Sequence, residues 1–202
     1  ALTDLRIVTG GTKEDAAALI ATYNQMAQAM GATTKEVSSA AVEWLRQGYS
    51  MADTQKLIED SMVLSIVGFM DSNEAAQALT STMKGYQLSV EDAIGAVDKF
   101  TAVDMAAATS AGNIAIALSK TAANAKLAGI SLNDVVGQLA LVNETMQEAP
   151  ESTGVFYNTM LSRMGMIKAG RLSDPETGES LSDVETTLKS LGINLRDSSD
   201  TF

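Results

Sequence analysis

Apolar side chains recur along this chain every three or four residues. Leu19, Tyr23, Met26 and Met30 fall on one such stripe, and Val135, Leu139, Val142 and Met146 on a second. Phe156, Met160, Met164 and Ile167 form a third. That spacing places each set on one side of a helix, the side a folded protein buries. Residues 51–69 differ, because Leu57, Ile58, Met62, Val63, Leu64, Ile66 and Val67 surround the helix axis. A helix apolar all round is expected to lie centrally, buried on most sides. The run 62–67 would also suit a buried strand, but its flanks read as helix.

Polar punctuation marks the ends of these stripes. Ser or Thr followed three residues later by an acid occurs at Thr12/Asp15, Thr33/Glu36, Ser50/Asp53, Ser89/Asp92, Ser131/Asp134 and Ser182/Glu185. In such a capping box the hydroxyl accepts from a free N–H of the first turn, and the acid reaches back to the cap. Glycines at 31, 48, 85 and 129 stand just upstream, where a preceding helix would stop. Together these signals predict helices over 12–30, 34–47, 51–69, 73–84, 90–104, 110–128, 132–148 and 153–168. Ser50, Ser89 and Ser131 lie 39 and 42 residues apart, and each would open a helical hairpin.

The two ends read differently. Leu5, Arg6, Ile7 and Val8 form a lone strand candidate. Around Asp174, Pro175, Glu176, Thr177 and Gly178 the residues suit a hairpin turn. A short helix over 182–191 and a strand over 193–196 follow, whose returning partner would begin at Thr201 and Phe202. The expected fold is mainly α, a compact multi-helix array of helical hairpins with short β-hairpin and strand pieces near the C-terminus. Its expected divisions are an N-terminal strand or linker over 1–11, a helical core over 12–170, and the hairpin, short helix and truncated strand over 171–202. With no initiator Met and a patterned end, the sequence reads as a piece of a longer chain.

Composition supports helices. Only two prolines occur in 202 residues, and aromatics make up 4%, so Ala, Leu, Ile, Val and eleven Met must fill the core. Cysteine and histidine are absent. That excludes disulfides, thiol nucleophiles, serine triads and the usual zinc sites. Fourteen basic against 25 acidic residues give a net charge of −11, which disfavours nucleic acid. The N-terminal residues lack the basic and apolar regions of a signal peptide, and the longest apolar run, 62–70, is about half a membrane span.

The remaining constellations favour plain structural roles. The adjacent acids Glu14-Asp15, Glu59-Asp60 and Glu91-Asp92 point about 100° apart on a helix and do not converge on a substrate. Asp174, Glu176 and Glu179 lack calcium-loop spacing, which Pro175 breaks. Gly10-Gly11-Thr12 lacks the Lys of a phosphate loop. Arg163, Lys168 and Arg171 suit a helix C-terminus better than DNA. Trp44 reads as a core anchor. No catalytic, cofactor-binding or metal-ligating residue is expected, and no cofactor or small-molecule substrate.

The run from Thr34 to Gly48, ending Val42-Glu43-Trp44-Leu45-Arg46-Gln47-Gly48, resembles the conserved core of bacteriophage tail tape-measure proteins. So do Val97-Asp98-Lys99-Phe100-Thr101-Ala102-Val103-Asp104, Ala111-Gly112-Asn113-Ile114-Ala115, and Leu161-Ser162-Arg163-Met164-Gly165 with Ile167-Lys168-Ala169-Gly170. The stretch Leu188-Lys189-Ser190-Leu191-Gly192-Ile193 with Leu195-Arg196-Asp197 completes the order. The resemblance covers nearly the whole chain. It implies a structural, non-enzymatic protein of the virion tail, assembled in the host bacterial cytoplasm. Such a protein nucleates the tail tube, sets its length and leaves with the genome. Implied partners are the tail tube, tail tip and tail assembly chaperones, with self-association; charge and hydropathy add the expectation of no specific nucleic acid and no membrane contact from this segment. The alternative reading is a cytosolic helical-repeat module that binds a peptide.

Overall fold

In the computed structural model, residues 2–168 and Ser190 are described. Helices follow in the order α1 (Leu2–Thr9), α2 (Lys13–Met30), α3 (Thr34–Arg46), α4 (Met51–Gly68), α5 (Ser72–Tyr86), α6 (Ala93–Asp104), α7 (Ala111–Leu127), α8 (Leu132–Met146) and α9 (Pro150–Lys168). No strand occurs among the described residues. Two units divide the chain, Ala1–Val155 and Phe156–Phe202. The hairpin, short helix and strand expected over 171–202 lie outside the described residues.

The caps do what their sequence requires. Thr12 and Thr33 close reciprocal capping boxes with Asp15 and Glu36. Ser50 and Ser131 accept from the third backbone N–H of α4 and α8. Gly31, Gly48 and Gly129 take left-handed φ of 67°, 90° and 81° where α2, α3 and α7 end, a conformation that costs a residue with a Cβ. Ser89 and Asp92 also bond reciprocally, but they close a turn ahead of α6, which starts at Ala93.

Residues 5–8 are helix, not strand. Leu5 is fully buried and Ile7 is 75% exposed, so the two do not share the face that a strand would give them. A lone strand leaves its N–H and C=O groups unpaired, whereas a helix satisfies them internally. Thr9 adds a hydroxyl bond to the Leu5 carbonyl at 2.7 Å. Helix α1 packs on α2 and α3.

The central helix is α5, not α4. Helix α5 touches α3, α4, α6 and α7, with its most extensive contact against α7. Small residues make this possible: Ala75, Ala76, Ala78, Thr80 and Thr82 are buried, and both threonine hydroxyls bond back to their own helix. Gly85, expected as a helix stop, lies inside α5. A Cβ there would stand 2.5 Å from the Ala122 Cβ of α7. The glycine is a contact point, and Gln87 ends the helix in the left-handed conformation instead.

The core gathers Tyr23, Trp44, Leu57, Leu79, Phe100, Ile114, Leu118 and Leu139. Trp44 is fully buried; its indole N–H donates to Ser61 Oγ at 3.2 Å, and Tyr49 meets its ring edge-on. On α9 the third apolar stripe is displaced. Tyr157 and Leu161 are buried, while Phe156, Met160 and Met164 are exposed; the side chain of Ile167 lies outside the described residues. The exposed side chains occupy a neighbouring face of the same helix.

Candidate interaction surface

The adjacent acids do not converge. Asp15 serves the α2 cap, and hydrogen bonds from the Thr12 backbone and hydroxyl hold its carboxyl below the usual value. Glu91 meets Lys56 at 3.4 Å, and Asp92 accepts from Ser89. Gly10 lies just past α1, its N–H bonded to the Arg6 carbonyl, and Thr12 caps α2. Arg163 is exposed on α9; the side chains of Lys168 and Arg171 lie outside the described residues, as does the acidic loop around Gly178. Among the described residues no three acids are arranged to hold a metal ion. None of the described helices is long and apolar enough to cross a membrane.

Between α5 and α7, beside the first turn of α9, lies an open notch of about 170 Å³. Glu74, Gln77, Ser81, Ser119, Lys120 and Glu151 line it. Small-molecule sites are deeper and mostly apolar, from roughly 300 Å³ upward. The notch is too small and too polar for that use.

A more distinctive surface lies along α4 and α6. On α4 the exposed positions Glu59, Val63 and Ile66 fall at i, i+4 and i+7, which is one face. On α6 the exposed positions Ile94, Asp98, Ala102 and Met105 fall at i, i+4, i+8 and i+11, again one face. Helices α4 and α6 pack side by side: Lys56 meets Glu91 just ahead of α6, and one turn further along α4 Asp60 feels the like charge of Asp98. The order of the two pairs is the same along both, so α4 and α6 run parallel. At the far end Gly68 packs against Gly112, close after α6 has ended.

This face changes character along its length. It begins with the Lys56–Glu91 pair, continues with the carboxylates Glu59, Asp60 and Asp98, and ends in apolar side chains. Val63 is 41% exposed, Ile66 56%, Met105 87% and Phe69 92%. Phe69 also sits at φ 51°, in the left-handed region, as the C-cap of α4. A bulky residue there is uncommon and strained. Asp60 has its carboxyl pushed up to about 6, by partial burial first and then by Glu59 and Asp98.

Exposed apolar surface with a charged border is the kind that suits contact with other proteins. The family of phage-related minor tail proteins matches the chain over residues 10–202. The chain belongs to that family. No solved structure matches it. In a minor tail protein, a component of the phage tail, contacts with other tail proteins are the expected work of an exposed face. Sequence reasoning missed this one. Its signal is the apolar circumference of α4, which equally predicts burial within the chain.

Proposed function

We propose that this chain is the core region of a tail tape-measure protein, acting in tail assembly, length determination and genome ejection. The match to phage-related minor tail proteins over nearly the whole chain carries the reading. The ordered resemblance from Thr34 to Asp197 supports the narrower assignment. Its role is structural and non-enzymatic, in the virion tail, after assembly in the host cytoplasm. Its partners are the tail tube, tail tip and assembly chaperones, and further copies of itself.

Within such a protein, residues 12–170 act as a folded module and not as ruler length. A ruler needs continuous helix at about 1.5 Å per residue. The described helices run from 8 to 19 residues, and those of the first unit pack on one another through buried apolar faces. Laid end to end, they would return those faces to water. An in-frame deletion of 12–170 from the phage gene tests this, with electron microscopy of the particles. Failed or defective tails are expected. Infectious particles with tails shortened by about 1.5 Å per deleted residue would overturn it.

A further inference from the structure

We propose that the α4–α6 face docks a cationic amphipathic helix of another protein, seated with its apolar end over Phe69 and its basic end over Asp60 and Asp98. The proposal rests on this surface and not on the tape-measure reading. The apolar end is unpartnered in the fold: Val63, Ile66, Phe69 and Met105 stand in solvent on two adjacent, parallel helices. Phe69 makes the point sharpest. Where α2, α3 and α7 end, the left-handed position is taken by glycine, and where α5 and α8 end by the polar Gln87 and Gln147. Here a phenylalanine takes it and turns its ring almost wholly outward. Such an aromatic suits a role as an anchor for a partner's pocket or groove.

Charge selects the occupant. Asp60 feels the negative charges of Glu59 and Asp98, and Lys56, one turn away, is engaged with Glu91. The face therefore holds carboxylates whose mutual repulsion an incoming Arg or Lys would relieve. A second copy is the poorer occupant, because a chain of net charge −11 has few cations to set against these carboxylates. Nine residues separate Asp60 from Phe69, roughly 13 Å of helix. The partner helix should thus carry its basic residues two to three turns from its apolar cluster.

The test uses the purified full chain and designed, fluorescein-labelled helical peptides of about 18 residues. One carries a leucine face at one end and arginines on the same face at the other; a control has glutamates in place of arginines. Fluorescence anisotropy near physiological salt should show saturable binding of the first and none of the second. Phe69→Gly keeps the backbone conformation, relieves its strain and removes the ring, so it should fold and lose binding about tenfold or more. The double variant Asp60→Asn, Asp98→Asn should weaken binding several-fold and flatten its salt dependence. Arginine-peptide binding unchanged by Phe69→Gly would mean unspecific attraction to an acidic protein, and would overturn the proposal. So would no binding of the arginine peptide, or sedimentation showing dimers that Phe69→Gly dissolves, since the occupant would then be a second copy.

Discussion

Asp60→Asn should stabilise the folded chain at neutral pH. The Asp60 carboxyl titrates at about 6 in the fold against 3.8 for a free side chain. Partial burial is the largest cause, followed by Glu59 on the same helix and Asp98 on α6. The folded chain therefore holds a proton between those values that the unfolded chain has released. Stability from this group is present at low pH and falls as pH rises through that window, the reverse of a salt-bridged acid. A shift near two units is about 3 kcal/mol at most. The carboxyl is partly open to solvent, which screens it, so about 1–2 kcal/mol is the reasonable expectation. An amide cannot ionise, so the variant should gain that amount at about pH 7.5 and nothing below about pH 4. Urea unfolding across the range measures it, and thermal scans should show a rise of roughly 2–8 °C. Equal stability of the two proteins at both ends of the range would refute the electrostatic account. Destabilisation by Asp60→Asn at neutral pH would mean that its charge has a partner the geometry does not show.

Other substitutions test the packing. Gly85→Ala should destabilise by about 2–3 kcal/mol, since overpacking would force α5 from α7: the new Cβ would stand 2.5 Å from the Ala122 Cβ and 2.9 Å from its carbonyl carbon. Gly137→Ala on α8 meets nothing within 4 Å and should be neutral or gain up to about 1 kcal/mol from helix propensity; chemical denaturation of the pair checks both, and equal effects would refute the close approach. Trp44→Phe should cost about 2–3 kcal/mol in the same assay, from the space left and the lost bond to Ser61. A loss under about 0.5 kcal/mol would deny Trp44 its anchoring role.

Local chemistry made most of the helices legible. Thr12, Thr33, Ser50 and Ser131 act at helix starts within a residue or two of where spacing placed them. A cap is a contract between residues three apart, so a sequence displays it. Tertiary reasons are less visible. Gly85 looks the same on paper as Gly129, yet one admits a neighbouring helix and the other ends its own. Asp71 starts α5 by accepting from the Asn73 N–H, with Glu74 three residues on but an aspartate where the other marked starts have Ser or Thr. For 5–8, four residues with three apolar side chains carry too little information against the backbone's need for partners.

The site was harder to read, and α4 shows why. Hydrophobicity reports that a side chain will leave water, but it does not name the molecule that will cover it. Leu57, Ile58 and Leu64 are covered by this chain; Val63 and Ile66, equally apolar, are not. Only the packing of α3, α5, α6 and α7 around α4 separates the two groups, because it leaves one side open. The same holds on α9, where Tyr157 is buried and Phe156 beside it is exposed. In a tail protein this surplus is informative. A helix more apolar than its own fold can bury carries surface for a neighbour, and the carboxylates along the α4–α6 face specify that neighbour's charge.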